Sequence, residues 1–282
     1  MTAFPDMTGK AVLITGATSG IGLETARALA RMGAFVLVGA RDPARGQAVV
    51  EEIRARGGRA ELATVDLASF ASIRAAVARL LPAHPTVDVL VNNAGMASRK
   101  RELSPDGHEL TWATNFLGPF LLTRLVLSAL RMSPAARVVN VSSVGHKSGR
   151  LDWDNLELER GFATFRAYAN SKLALNLFTR ELARREPWLS VNAVHPGAIA
   201  TNIWRAAPAA ARWVLERVLP SAEAGARPVV RLASAPELAR VSGRYFDKLR
   251  EATPSAAARD DSAAARLWDI AERETGAGTG EG

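Results

Sequence analysis

A short apolar run, Ala11 to Thr15, passes directly into Thr15-Gly16-Ala17-Thr18-Ser19-Gly20-Ile21-Gly22, and a helical pattern continues through Leu29. An apolar run of this length, ended by glycine, reads as a buried parallel strand. A strand, a glycine-rich turn and a helix in succession aim backbone N–H groups and a helix N-terminus at one point, the arrangement that holds a phosphate. The spacing is G-x3-G-x-G, which differs from the G-x-G-x-x-G of the common dinucleotide fingerprint. It also lacks the Gly-Lys-Ser/Thr of a P-loop, which argues against nucleoside triphosphate hydrolysis. A tight turn packed for its own sake is the competing reading. The position of the glycines, straight after the first strand, favours a dinucleotide.

The same alternation continues. Phe35 to Gly39 reads as a second strand, Ala60 to Val65 as a third, Val87 to Val91 as a fourth, Arg137 to Val141 as a fifth and Ser190 to His195 as a sixth. Gly243 to Phe246 makes a short last strand. Between them lie helical patterns, including one capped by Ser69 and a long one expected over about residues 106–132. Further helices are expected at about 221–234 and 257–274, with a Gly-rich, disordered tail over 276–282. Alternating strands and helices without repeat or linker give one α/β domain over residues 10–275, preceded by an arm at 1–9. Residues 201–220 carry Trp204 and Trp213 among apolar positions at helical spacing, the pattern of an amphipathic lid or a surface helix.

Composition removes several function classes. There is no cysteine, so disulfides, thiolate metal sites and cysteine nucleophiles are excluded together. The four histidines (His84, His108, His146 and His195) show no ligand spacing, and H-E-x-x-H is absent, so no metal site is expected. His195 reads as a strand-end core residue. No apolar run reaches the roughly 18 residues that a membrane span needs, and no signal peptide opens the chain, so a cytoplasmic protein is expected. The formal net charge of +8 is carried almost entirely by arginines interleaved with acids along helices, as in Arg184-Arg185-Glu186. Nucleic-acid binding calls for clustered basic residues with aromatics, so a basic surface without that role is the reading.

The chemistry-bearing residues follow the strands. Arg41 and Asp42 stand just past the second strand, where a dinucleotide fold meets the adenosine ribose. Asp42-Pro43 reads as a helix start, with Asp as N-cap and Pro at the first position. That leaves Arg41, with Arg45 one turn on, to meet a 2′-phosphate, and favours NADP(H) over NAD(H). Asp66 can accept from an adenine amino group, or be only a strand-end carboxylate near a helix N-terminus. Asn92-Asn93-Ala94-Gly95 is a turn whose amides can brace backbone or bind a ribose. Asn115, amid apolar residues, must be hydrogen-bonded, either in the core or to a water on a proton path. Ser142-Ser143 closes a central strand at its carboxyl end, and only one need face a ligand, because strand neighbours point to opposite faces. Finally, Tyr168-Ala169-Asn170-Ser171-Lys172 puts a phenol and an ammonium one helical turn apart. A phenol titrates near pH ~10. A fixed ammonium beside it stabilises the phenolate and would lower that value toward a working range.

In this order and on these elements, the motifs resemble the classical short-chain dehydrogenase/reductase family over about residues 9–246. The resemblance rests on Thr15 to Gly22, Asn92 to Gly95, Asn115, Ser143, Tyr168 with Lys172, and Pro196-Gly197 with Thr201. It implies a Rossmann doubly wound parallel sheet of about seven strands, order 3-2-1-4-5-6-7, and hydride transfer between nicotinamide and a carbonyl or alcohol carbon. Tyr168 would be the acid in reduction and the base in oxidation. Lys172 would lower its pKa and hold the nicotinamide ribose, Ser143 (or Ser142) would bind the substrate oxygen, and Asn115 would position a water toward Lys172. Cofactor contacts would come from Gly16, Thr18, Ser19, Gly20, Ile21, Gly22, Arg41, Asp66, Leu67, Asn92, Ala94, Gly95, Tyr168, Lys172, Pro196, Gly197, Ile199 and Thr201. Family members are often dimers or tetramers, so a homo-oligomer is possible.

More narrowly, 24 residues separate Ser143 from Tyr168, and Arg137 to His146, Asn170 to Asn176 and Ser242 to Phe246 resemble the retinol dehydrogenase-like, NADP-dependent branch. That branch favours apolar aldehydes, ketones and alcohols. The chain departs from the retinoid enzymes in showing no N-terminal membrane anchor. Two other readings remain at this point. One is a catalytically silent NADP(H)-binding sensor or scaffold; the other is a peripheral membrane enzyme docking through residues 201–220.

Overall fold

The computed structural model describes residues 5–197 and 221–277. Eight strands form one sheet: β1 (Ala11–Thr15), β2 (Phe35–Ala40), β3 (Arg59–Thr64), β4 (Val89–Asn92), β5 (Arg137–Val141), β6 (Ser190–His195), β7 (Arg244–Asp247) and β8 (Arg250–Ala252). Their order is β3-β2-β1-β4-β5-β6-β7-β8. The first seven run parallel, and β8 returns antiparallel to β7. Valine, isoleucine and leucine fill β1 and β4 because both faces of these central strands are covered. β1 lies between β2 and β4, so the chain changes winding direction there. A crevice at the carboxyl ends of the strands beside such a reversal is where open α/β sheets bind ligands.

One face of the sheet is covered by α1 (Gly20–Arg31), α2 (Pro43–Ala55) and α8 (Ala222–Ser234), which bring Leu29, Val50, Ile53, Val229 and Leu232 onto Val12, Ile14 and Val36. The other is covered by α3 (Phe70–Ala83), α5 (Gly118–Leu125), α7 (Thr164–Arg185) and α9 (Asp261–Thr275). There Phe120 packs against Phe178 and Trp268, with ring centroids 5.3 and 5.0 Å away. The caps follow the local sequence. Asp42 accepts from the Ala44 and Arg45 amides with Pro43 in the first turn, and Ser69 accepts from Ser72. Asp42 is therefore used at the start of α2.

Two sequence expectations differ from the structure. The helix expected over 106–132 is four pieces: α4 (Leu110–Trp112), a π-helical segment (Ala113–Leu117), α5 and α6 (Leu127–Arg131). Residues before Leu110 form turns and a bridge between Leu103 and Glu109, and Glu109 caps α4 through the Thr111 and Trp112 amides. Apolar spacing runs through all four pieces without registering the extra residue of the π-segment or the break at Val126. The eighth strand was not expected because Arg250-Glu-Ala252 is polar, short and at the sheet edge.

Candidate active site

Tyr168 and Lys172 lie one turn apart on α7, beside the carboxyl end of β5. The Lys172 side chain is buried, and its ammonium donates to the Val141 carbonyl at 2.8 Å while lying 5.8 Å from the Tyr168 ring centroid. Ser143, the first residue past Ser142 at the end of β5, hydrogen-bonds the Tyr168 phenol and accepts from the Gly145 amide at 3.1 Å. Ser142 faces the other way: it is buried, and its hydroxyl accepts from the Asn176 amide at 2.8 Å. The pleat thus puts Ser143, and not Ser142, on the side of Tyr168.

The titration of the tyrosine runs against expectation. Burial pushes the Tyr168 phenol above its ordinary value, and the Ser143 hydrogen bond offsets this only in part. Burial also pulls the Lys172 ammonium down to about 8. Desolvation, absent from a reading of helix spacing, acts on both partners and destabilises both charged forms.

Asn115 sits in the π-segment, whose extra residue turns its side chain toward the loop after β4. Its amide donates to the Met96 carbonyl at 2.8 Å and to Ser171 at 3.0 Å, and its oxygen accepts from the Met96 amide at 2.8 Å. Gly95 stands where Asn115 and Lys172 converge. A Cβ there would lie 3.3 Å from the Lys172 nitrogen, which would have to give by a few tenths of an ångström, and in ordinary contact at 3.5 Å with the Asn115 oxygen.

The glycine turn forms a cradle across from this cluster. Gly16 and Gly20 adopt φ of +66° and +56°, the left-handed region that favours glycine. A Cβ on Gly22 would come within 2.4 Å of the Gly16 carbonyl oxygen, so the turn closes only without one. α1 begins at Gly20, leaving the first-turn N–H groups without intrahelical acceptors. Thr18, Ser19 and Ile21 belong to this turn and its helix start. Donors of this kind, with bare backbone to approach, fit the pyrophosphate of a dinucleotide. Thr15 and Asn93 brace the cradle: the Asn93 amide donates to the Thr15 carbonyl at 2.9 Å, and the Thr15 hydroxyl accepts from the Asn93 and Ala94 backbone amides.

Arg41 is exposed at the end of β2 and makes no ion pair among the described residues. Asp66 spends one oxygen on the Ala68 amide, and Leu67 is buried beneath α5. The Asn92 side chain turns inward, donating to Asn140 at 2.9 Å and Thr123 at 3.1 Å, so its amide nitrogen is committed to the core. Pro196 and Gly197 follow β6, with Gly197 at φ +104°. Ile199, Thr201, Trp204, Trp213 and the expected 201–220 lid lie outside the described residues.

Sequence reasoning missed three features. Ser171 hydrogen-bonds Asn115. His146, fully buried, touches the Ser143 carbonyl. His108, Glu157 and Glu274, far apart in sequence, bring ligand-type atoms within 4.8 Å of one another. Glu157 already accepts from His108 Nδ1 at 2.7 Å and from the Glu109 amide at 2.6 Å, so His108 and Glu157 pair and tie two loops together, with Glu274 beside them. Burial, reinforced by the Glu157 charge, raises the Glu274 carboxyl to about 7. Only α9, with Glu274 near its end, completes the group, and no local spacing signals it.

A doubly wound sheet with a glycine cradle at its reversal point, and a Ser–Tyr–Lys cluster beside it, defines a dinucleotide-binding oxidoreductase architecture. The family model described as short chain dehydrogenase matches residues 10–211, and the chain belongs to this family. It is 38% identical to human (Homo sapiens) retinol dehydrogenase 13, over 95% of this chain and 85% of that protein. It is 42% identical to polyprenol dehydrogenase of Mus musculus, over 98% of this chain and 87% of the relative. Among solved structures it resembles an uncharacterised protein from Mycobacterium paratuberculosis, with a TM-score of 0.80, 34% identity, and 97% and 96% of the two chains covered. A gluconate 5-dehydrogenase from Burkholderia cenocepacia, solved with NADP and tartrate, gives a TM-score of 0.69 at 26% identity, covering 86% of this chain and 95% of that one. The retinol dehydrogenase-like branch is thus the part of the family the chain resembles. No helix among the described residues is long and apolar enough to cross a membrane.

Proposed function

We propose that the chain is an NADP(H)-dependent oxidoreductase acting on an apolar aldehyde, ketone or secondary alcohol, with Tyr168 as its acid and base. The observation that carries this reading is the Tyr168 phenol, hydrogen-bonded to Ser143 with the buried Lys172 ammonium one turn away. When bound, the nicotinamide nucleotide supplies or takes up the hydride. The chain's own residues handle the oxygen and the proton. Ser143 donates to the substrate oxygen and holds charge as it develops there. The Tyr168 hydroxyl gives its proton to that oxygen in reduction and takes it back in oxidation. Lys172, with its ammonium drawn down to about 8, stabilises the phenolate and returns the proton. Asn115, fixed by Met96 and Ser171, orients the route by which Lys172 is resupplied.

The preference for NADP(H) is supported by Arg41, exposed past β2 while Asp42 is committed to capping α2. Arginine there suits a 2′-phosphate, which a carboxylate would repel. An apolar substrate is supported by the relatives' names, since retinol and polyprenol are apolar alcohols. The test is oxidation of NADPH and of NADH, followed at the nicotinamide absorbance, against a panel of apolar aldehydes and ketones. Turnover with NADPH exceeding that with NADH supports the proposal. Preference for NADH would overturn the Arg41 assignment, and cofactor binding without any turnover would overturn the enzyme reading.

A further inference from the structure

His146 follows the catalytic serine by three positions and is fully buried in the short 3-10 turn Val144–Ser148. Its Nδ1 lies 2.7 Å from the Ser143 carbonyl oxygen, and its Nε2 lies 3.2 Å from the backbone nitrogen of Ser255. A carbonyl only accepts and a backbone N–H only donates, so both contacts hold in one state alone. Nδ1 carries the proton, Nε2 carries none, and the ring is neutral. A proton on Nε2 would set it against the Ser255 N–H. The ring also packs on Tyr245 of β7, with centroids 4.8 Å apart, and burial pushes the imidazole below its ordinary value, with Lys147 adding to the shift.

We propose that His146 is a positioning residue for the reaction, locked as the neutral Nδ1–H tautomer, which fixes the Ser143 peptide and ties it to the chain after β8. The inference rests on the proposed role of Ser143. The Ser143 carbonyl receives two N–H groups, from the His146 backbone at 3.1 Å and from Nδ1. These hold the peptide that follows the serine, while the Gly145 amide and the Tyr168 phenol hold its hydroxyl. On the far side of the ring, Ser255 starts the turn Ala257–Arg259: its hydroxyl and carbonyl accept from the Ala258 amide, and Ala258 is buried. The seating of this C-terminal segment is therefore read at the catalytic serine through a single ring.

Two substitutions separate the two nitrogens. The Asn amide nitrogen reaches where Nδ1 stands and keeps a donor for Ser143, whereas the Gln amide reaches where Nε2 stands and keeps an acceptor for Ser255. With NADPH and an apolar aldehyde, His146→Asn should retain kcat within a few-fold. His146→Gln should lose about 10- to 100-fold, the scale of a small misplacement of a catalytic group. The NADP(H) dissociation constant should be unchanged in both. Equal losses in the two variants, following their melting temperatures, would reduce His146 to a packing residue and overturn the proposal. If His146→Gln does not fold, imidazole 15N shifts of the wild-type protein decide. The neutral Nδ1–H pattern supports the proposal, and an Nε2–H or doubly protonated ring overturns it. Absence of turnover in the wild-type protein would remove the reaction itself, which the tautomer spectrum distinguishes from failure of the contact.

Discussion

Gly118 opens α5 against the loop after β3, and replacing it by alanine sets two known effects against each other. In a helix, Gly→Ala gains about 1 kcal/mol of propensity. Here the new Cβ would lie 2.2 Å from the Leu67 carbonyl oxygen, 2.9 Å from Leu67 Cβ and 3.0 Å from its carbonyl carbon. These atoms are mostly backbone, so no side-chain rotation relieves the contact and α5 must move off the loop. Overpacking costs typically about 1–3 kcal/mol, and contact with backbone places this site at the upper end. The net effect is therefore destabilising by about 1–2 kcal/mol once the propensity gain of about 1 kcal/mol is subtracted. For a chain of this size that amounts to roughly 2–8 °C in Tm. The displaced loop carries Asp66, whose oxygen holds the Ala68 amide, so the Kd for NADP(H) should rise as well. Differential scanning fluorimetry with and without NADP(H) measures both. An unchanged or raised Tm for Gly118→Ala would refute the reasoning, since propensity would then have outweighed the overlap.

Other predictions follow from the site. Ser143→Ala should lower kcat by about 100- to 1,000-fold, as loss of a donor to a developing oxyanion does, whereas Ser142→Ala should leave kcat near wild type and cost about 1 kcal/mol of stability; steady-state kinetics and thermal melts distinguish them. Arg41→Ala should raise KM for NADPH by about 10-fold or more through loss of a charge-assisted contact, with KM for NADH unchanged; equal effects on both cofactors would remove Arg41 from the 2′-phosphate. The Glu274 carboxyl is raised in the folded chain to about 7, so the folded state binds a proton that the unfolded state has released, and stability falls as pH rises between the two values. Glu274→Gln should therefore melt at an increasingly higher temperature than wild type as pH goes from about 5 to about 8, and a constant difference would contradict the assignment.

Much of this molecule is legible in sequence because buried parallel strands are short, valine-rich segments set between helical patterns. β1, β5 and β6 match their expected bounds, although Arg137, Asn140, Ser190, Asn192 and His195 interrupt the apolar residues of the last two. Asp42-Pro43 and Ser69 announce helix starts through local chemistry that tertiary structure leaves intact. What was not legible depends on contacts distant in sequence. The π-segment that aims Asn115 costs one residue of helical phase, too little to disturb an apolar pattern that stays buried all round. Which of Ser142 and Ser143 stands beside Tyr168 depends on the position of α7, whose Asn176 holds the Ser142 hydroxyl. The upward shift of the Tyr168 phenol needed burial, which spacing does not report, and the inward turn of Asn92 needed Asn140 and Thr123. His146 stood out in sequence as a histidine without metal spacing and as the end of the Arg137–His146 segment, and its contact was not legible because its partner Ser255 lies 109 positions away.

The central claim is hydride transfer supported by Tyr168, and the most direct measurement follows the hydride itself. NADPH carrying deuterium at both C4 positions would be incubated with the best apolar aldehyde of the panel, and the alcohol product analysed by mass spectrometry. One deuterium in the product alcohol from the wild-type protein, and its near-complete loss with a folded, cofactor-binding Tyr168→Phe variant, is the predicted result. Product from Tyr168→Phe at the wild-type rate would contradict the role of the tyrosine, and alcohol formed without deuterium would contradict hydride transfer from the nicotinamide.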